Sequence, residues 1–282
     1  MVETIPVEDG LGPPVPRPPA TAIRGDGTVA LFFRQPRVLT PEAHGALRLL
    51  PHRDYRFAAE TNAIPRGADE FAVAQAYYPI VFAAGDRPFP VAVLGLRDRQ
   101  NLFVAADGAW REDSYRPAHV RNYPFGLAAV EGRDDLVLAI DEGAAVLSES
   151  EGEALFEDGR PSEPTQRAFR ICLAISQQQN RARTFAAALL AADLLVENRA
   201  EWRRDKASAA QVFGGFRIVD EQRFAQLPDQ TVLEWHRQGW LALVFAHLLS
   251  MQRWGALAVR EAVAFKVASS PHASPVPEPT AS

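Results

Sequence analysis

The sequence predicts an α+β fold: a curved, mainly antiparallel sheet from the N-terminal half, covered by helices from the C-terminal half. Three observations carry this. Up to Ile140, short β-branched and aromatic runs alternate with turn residues. From Pro164 onward, apolar residues recur at helical spacing. From Trp240 a strongly apolar stretch runs toward Phe265. Strands followed by helices point to helices segregated against an antiparallel sheet. The folded domain is expected over residues 29–265. The Pro-rich segment 1–28 and the Pro/Ser-rich segment 266–282 bury too little apolar area to offset their ordering entropy, so both are expected to be disordered tails.

Val29 to Phe33 reads as the first strand. Thr40-Pro41-Glu42 opens a helix: Thr40 caps it, Pro41 sits where no N–H is needed, and Glu42 suits the dipole. That helix is expected to end near Leu50, before Pro51. A second helix is placed over Ala68 to Tyr77 and stopped by Pro79, with a strand over Ile80 to Ala83. Val91 to Leu96 is a buried strand, and Leu102 to Val104 is followed by an Asp107-Gly108 turn before Trp110. Pro117 to Arg121 forms one helical turn. Gly126 to Val130 and Leu136 to Ile140 form a hairpin around Glu131-Gly132-Arg133-Asp134.

In the second half, Pro164 to Val196 is helical, with an expected break or exposed stretch at Gln177-Gln178-Gln179-Asn180. Trp202 to Val219, carrying Gly214-Gly215, returns as a hairpin to the sheet. Asp220 and Asp229 each cap a helix, the second reaching Gly239. The helix from Trp240 is apolar on nearly every face, so it is expected to be enclosed by the rest of the protein.

Composition narrows the function classes. The 282 residues carry a formal charge of −5, which argues against broad nucleic-acid binding, since that needs a positive face. The single cysteine, Cys172, excludes an internal disulfide and any multi-thiolate metal site, and its apolar surroundings suit a buried small hydrophobe. Met1 to Ala20 lacks a basic n-region and is broken by prolines, so it is not read as a signal peptide. The most apolar run, Trp240 to Met251, is shorter than the ~20 residues a spanning helix requires. No transmembrane segment is expected, and the expected compartment is the cytoplasm.

Several segments fall in one recognisable order: Tyr55 to Ala58, Thr61-Asn62-Ala63-Ile64-Pro65, Glu70-Phe71, and Tyr78 to Phe82. Then come Val93 to Leu96, Asn101 to Phe103, Tyr123-Pro124-Phe125, Asp141-Glu142, Ser148 to Phe156, Phe216 to Glu221 and Ala246 to Ser250. Together they resemble the SapC family over most of Leu31 to Ser250. Trp254 to Phe265 departs from that pattern as an extra helical extension. The resemblance implies a role at or near the bacterial cell surface, beside outer-membrane receptor and halogenase-like proteins, with protein partners of such a system. It transfers no catalytic residue.

The motifs of Ser hydrolases, phosphate-cradling loops, dinucleotide sites and H-E-x-x-H metalloproteases are absent from the sequence. No metal site and no cofactor are predicted. Asn62, Tyr78 and Asn101 stand at element ends and are candidate ligand-binding residues, although such residues more often satisfy turns. His247 is the fourth candidate; a core histidine bonded to a backbone carbonyl is the favoured reading. Asp141, Glu142, Glu149, Glu151 and Glu153 form an acidic candidate surface, weighed against a solvated loop and helix N-terminus. The leading expectation is a non-catalytic binding or accessory protein of a cell-surface assembly or uptake system. The alternative is an enzyme acting on peptides or small molecules through scattered residues.

Overall fold

The computed structural model describes residues 31–51, 53–129, 136–203 and 209–269. The expected tail 1–28, the 131–134 turn and the expected tail beyond residue 269 lie outside those residues; the first four residues of that second tail, 266–269, are instead the end of a helix. In chain order the elements are β1 (Pro36–Val38), α1 (Pro41–His44), β2 (Arg48–Leu49), β3 (Ala63–Pro65), α2 (Phe71–Ala74), β4 (Ile80–Ala83) and β5 (Pro90–Val93). Next are α3 (Ala118–Asn122), β6 (Phe125–Ala129), β7 (Leu136–Asp141), β8 (Leu147–Ser148), β9 (Glu153–Ala154), β10 (Phe156–Glu157) and β11 (Arg160–Pro161). The second half contains α4 (Glu163–Ala191), β12 (Leu195–Trp202), β13 (Gln211–Val219), α5 (Glu221–Phe224), α6 (Asp229–Gln238), α7 (Trp240–Ser250) and α8 (Arg253–Ser269).

The fold is α+β and its strand pairs are antiparallel, but the described strands divide into several sheets. The largest has the order β12-β13-β4-β5-β3, and a second has the order β1-β7-β6. β13 rejoins the N-terminal strands through Phe216 opposite Ala83 and Arg217 opposite Phe82, as the sequence suggested. β4 and β5 are buried at every position, which explains their continuous apolar runs.

The long helix α4 links the two main sheets. Its inward residues Thr165, Ala168, Cys172, Ser176, Gln179, Ala182, Ala186 and Leu189 follow steps of three and four, one face of an unbroken helix. Ala168 and Cys172 pack with Phe125, Leu127 and Ile140 of the three-stranded sheet. Thirteen residues beyond Cys172, Phe185 meets Phe71 and Phe82 with ring centroids 6.0 Å apart in each case. The expected break at 177–180 does not occur. Gln179 points inward to a histidine partner, so the polar stretch is compatible with a continuous helix.

Other expectations shift for local reasons. Leu31 to Phe33 is a turn, because the Asp141 carboxylate takes the amides of Arg34 (3.0 Å) and Gln35 (2.7 Å) and bends the chain before β1. α1 starts as expected on Thr40, whose hydroxyl accepts from the Ala43 amide at 3.4 Å. It stops at His44, and Arg48 and Leu49 pair with β8 and β9 instead. The helix expected over 68–77 begins as a 3-10 turn at Ala68–Glu70 and ends as α2 at Ala74. Leu195 and Val196 belong to a strand, because Asp193 at φ 53° reverses the chain after α4. The cap position of α6 is Pro228, with Asp229 in its first turn. The apolar C-terminal stretch is two helices, α7 and α8, bent by 42°.

Candidate functional site

The four candidate ligand residues are all buried, and each is tied to backbone. The Asn62 carbonyl accepts from Leu94 N (2.7 Å) and Gly95 N (3.2 Å). A Cβ at Gly95 would lie 2.0 Å from the Gln100 carbonyl oxygen, so that close approach needs glycine. Asn101 donates through Nδ2 to the Ala58 carbonyl (3.0 Å) and accepts from Phe103 N through Oδ1 (2.9 Å). The Tyr78 ring rests edge-on against Phe103, centroids 4.7 Å apart, and its hydroxyl donates to the Tyr115 carbonyl. Burial first of all pushes the Tyr78 phenol up, so it remains a neutral donor.

His247 joins α7 to two strands. Its Nδ1 donates to the Ile80 carbonyl at 2.7 Å, and its Nε2 accepts from Val219 N at 3.0 Å. These partners fix one neutral tautomer. Burial lowers its pKa to about 4, against a partial opposing effect of the Ile80 bond. Ser250, one turn on, accepts from Ile80 N (2.9 Å) and donates to the His247 carbonyl (2.6 Å). Tyr78 and Asn101 are thus joined through Phe103, whereas His247 acts two residues beyond Tyr78, at Ile80 where β4 begins. Asn62 secures a neighbouring loop.

The acidic candidates do not share one place. Asp141 is fully buried and accepts from Arg34 N, Gln35 N, Gly143 N (3.2 Å) and the Tyr123 hydroxyl (2.8 Å). Glu142 lies at the surface, 3.1 Å from the buried His44 and 3.7 Å from Arg37. Glu149 and Glu151 are exposed, and Glu153 is exposed 3.6 Å from Arg167. Among the described residues, no group of three His, Cys, Asp or Glu side chains is placed to hold a metal ion.

A buried ionic cluster lies where the sequence reading placed no site residue except Tyr78. Arg66 and Glu70 pair at 2.9 Å with side chains almost completely enclosed. The same Glu70 oxygen accepts from the Tyr115 hydroxyl (3.0 Å) and the Ala118 amide (2.8 Å). Arg121 in turn donates to the Tyr115 hydroxyl at 3.0 Å. Burial raises the Glu70 carboxyl, but the Arg66 charge, the Ala118 amide, His119 and the Tyr115 hydroxyl together outweigh it and hold the group below the usual range. Asp69 beside it moves up, from burial first and the Glu70 charge second.

His119 borders this cluster and contacts Gln179 Nε2 through its own Nε2 at 2.8 Å. With the amide donating, the neutral ring carries its proton on Nδ1. That Nδ1, together with Arg66 Nη2, is buried without a hydrogen-bond partner. Burial lowers the His119 pKa to about 4, so the ring is neutral near pH 7. An Arg–Glu pair flanked by a neutral imidazole and a tyrosine can hold a proton at a fixed place, or tie the 66–70 turn to α3 and α4.

The C-terminal helices carry a different surface. Their inner face holds His247, Ser250, Trp254, Leu257 and Glu261, at steps of three and four. Trp254 stacks on Phe216 at 5.4 Å. Buried Glu261 pairs with Arg97 and accepts from Gln100 Nε2 at 2.6 Å. The opposite face runs through Ala242, Phe245, Leu249, Gln252, Ala256, Val259 and Val263, also at steps of three and four, and all seven are exposed. Phe245 is 54%, Leu249 52%, Val259 64% and Val263 55% exposed, more than any other large apolar side chain described. The expectation of an enclosed α7 therefore fails on this face: polar groups are buried together with Leu243, Val244, Ala246 and Leu257, while four large apolar groups point out. No single described helix is long and apolar enough to cross a membrane; the bent α7–α8 pair meets that test only jointly, by length and composition.

The SapC family model matches residues 39–257. The chain belongs to the SapC family. No curated protein and no solved structure matches it. The SapC match takes in all the candidate residues and the Glu70 cluster. It stops inside α8, four residues before Glu261, so it takes in Trp254 to Leu257, which the sequence reading had assigned to an extension, and leaves the rest of α8 outside. That extension is anchored: Arg260 pairs with Asp113 at 2.9 Å and lies over the Phe103 ring at 4.9 Å.

Sequence signals for what was missed do exist. Arg66 and Glu70 stand four apart, the spacing of an ion pair on one helical turn. The outward stripe is visible as Phe245, Leu249, Val259 and Val263, but its direction is set by the polar residues opposite it.

Proposed function

We propose that this SapC-family chain is a cytoplasmic, cofactor-independent binding or accessory protein, working with protein partners of a bacterial cell-surface assembly or uptake system. One observation carries the binding part: α7 and α8 turn His247, Ser250 and Glu261 inward and leave an apolar stripe facing solvent. A fold that buries polar groups while exposing Phe245 and Leu249 on the same helices presents a surface suited to association. The cell-surface link rests on what the family resemblance implies, and the cytoplasmic setting on the lone buried thiol, Cys172, which burial pushes up to about 12. The test is recovery of envelope proteins on the immobilised full chain, compared with a Phe245→Ser/Val259→Ser double variant. At least a tenfold loss of the recovered set is expected; equal recovery by the variant contradicts the reading.

A second reading has its own observation. Arg66 Nη2 and His119 Nδ1 are buried beside Glu70 with no hydrogen-bond partner. Unmatched donors next to a titratable pair are a feature of catalytic sites as well as of structural ones. An enzyme acting on peptides or small molecules through these scattered residues would carry its chemistry here. Elemental analysis and absorbance spectroscopy of the purified chain test it: a stoichiometric metal or chromophore lost in His119→Ala, with the fold retained, would favour this reading over the first.

A further inference from the structure

Resting on the reading of the α7–α8 stripe as a binding surface, we propose that its direct occupant is a second copy of this chain and that the chain meets its envelope partners as this pair. The two stripes meet antiparallel across a two-fold axis at Gln252. The reason lies in the order of side-chain sizes along the stripe. Reversing Ala242, Phe245, Leu249, Gln252, Ala256, Val259 and Val263 about Gln252 sets Leu249 opposite Ala256, Phe245 opposite Val259 and Ala242 opposite Val263. Two pairs join a larger side chain to alanine, and the third joins the aromatic ring to valine, so two identical stripes interdigitate. Steps of three and four are the spacing with which one helix seats on another.

Gln252 is the one polar residue between Ala242 and Val263 on this stripe, and it falls at the axis. An amide offers both a donor and an acceptor, so two symmetry-related copies exchange two hydrogen bonds. An aliphatic partner at that point would leave the amide unmatched. The seven stripe residues carry no formal charge, so the seam itself sets no like charges against each other. A two-fold contact uses the same patch on both partners, as this self-complementary order requires.

The helix geometry suits the same arrangement. The 42° bend lies between Ser250 and Arg253, at the axis. The two-fold pairing divides the contact into two equivalent halves, α7 of one copy facing α8 of the other. The stripe runs roughly 32 Å from Ala242 to Val263 at 1.5 Å per residue. A stable specific interface buries about 1,200 Å² or more in total. Four large apolar side chains along that seam, each more than half exposed, supply the larger part of such an interface, and the Ala, Gln and flanking side chains supply the rest.

Cysteine cross-linking tests the axis directly, because the native Cys172 is buried. In the full chain, Gln252→Cys is expected to form a disulfide-linked dimer under mild oxidation, while Val232→Cys on α6 is expected to form no covalent dimer. Light scattering on the unmodified chain is expected to give twice 31.0 kDa at tens of micromolar. Phe245→Glu/Val259→Glu is expected to weaken self-association at least tenfold with unchanged circular dichroism. A monomeric mass at every concentration, or cross-linking of Gln252→Cys no faster than of Val232→Cys, overturns the proposal. So does flotation of a monomeric chain with phosphatidylglycerol/phosphatidylethanolamine vesicles that the Glu variant abolishes, which would assign the stripe to a membrane surface. If the chain is monomeric and the same variant still loses its envelope partners, the pairing is wrong and the binding reading stands. If it is dimeric and envelope recovery is unaffected by the variant, the stripe pairs copies and the binding reading falls.

Discussion

The two faces of α7–α8 are built on the same residues' backbone and have opposite character. Inward, His247 and Ser250 bond the backbone of Ile80 and Val219, and Glu261 holds Arg97 and Gln100. Outward, Phe245, Leu249, Val259 and Val263 meet solvent. Leu243, Val244, Ala246 and Leu257 are buried beside those polar groups, so the two helices are apolar on both faces, unlike an ordinary amphipathic helix. The difference teaches that apolarity alone does not orient a helix. Polar side chains take the inner face when each finds a partner there, because a buried backbone group left unpaired costs more than an exposed valine.

The strongest way to break the inner side of this comparison lies in the other buried ionic group. Arg66→Ala leaves the enclosed Glu70 carboxylate without its cation and is expected to destabilise by about 3–5 kcal/mol, measured by urea unfolding. Arg66→Met with Glu70→Leu together is expected to recover much of that loss, since no charge is then stranded.

Acid should loosen the inner face next. The His247 ring is neutral in the fold, with its pKa lowered from 6.5 to about 4 by burial. Between those values the unfolded chain binds more protons, so this stability is fully present above about 6.5 and is lost as pH falls toward 4. The amount is roughly 3 kcal/mol. Glu70, held below its ordinary value, acts in the same direction: its contribution is present above the unfolded carboxyl's pKa and lost as pH drops through the folded one. Chemical denaturation across pH 4 to 7 should show this slope, and His247→Leu should remove part of it.

His247→Leu at pH 7 has a smaller expected cost, about 1–3 kcal/mol, because Val219 N and the Ile80 carbonyl lose a partner while the site stays apolar. Amide exchange at Val219 should accelerate along with the lower melting temperature. The smallest effect belongs to the outer face. Phe245→Ser, measured on dilute protein, should change stability by no more than ~0.5 kcal/mol.

Much of this architecture is legible in the sequence. β4, β5 and the β6–β7 pair show as apolar runs, and Thr40, Asp220 and Gly239 mark helix ends by their side-chain or backbone chemistry. The misses share one physical origin: a long-range partner overrides local pattern. Leu31 to Phe33 has strand propensity, but Asp141, more than a hundred residues away, captures the amides that follow it. Gln179 reads as a helix breaker or surface residue until His119 is placed against it. Arg66 and Glu70 show as a spacing, yet nothing local says that they are enclosed or that Tyr115 and Ala118 converge on the same oxygen. The candidate residues Asn62, Asn101 and His247 were recognisable as polar groups in apolar settings. The partners of the Asn101 and His247 side chains, all backbone, become visible only in the folded chain, and Asn62 is tied in through its own main-chain carbonyl.

The division of labour between the two faces is tested most directly by one side-by-side measurement: association with envelope proteins per mole of folded chain, for the unmodified protein, His247→Leu and Phe245→Ser/Val259→Ser. His247→Leu should melt at a lower temperature and retain full association in the fraction that is folded. Phe245→Ser/Val259→Ser should keep the native circular dichroism spectrum and lose association at least tenfold. The reverse pattern, with association abolished by His247→Leu at an unchanged melting temperature and preserved in the double variant, would contradict the assignment of both faces.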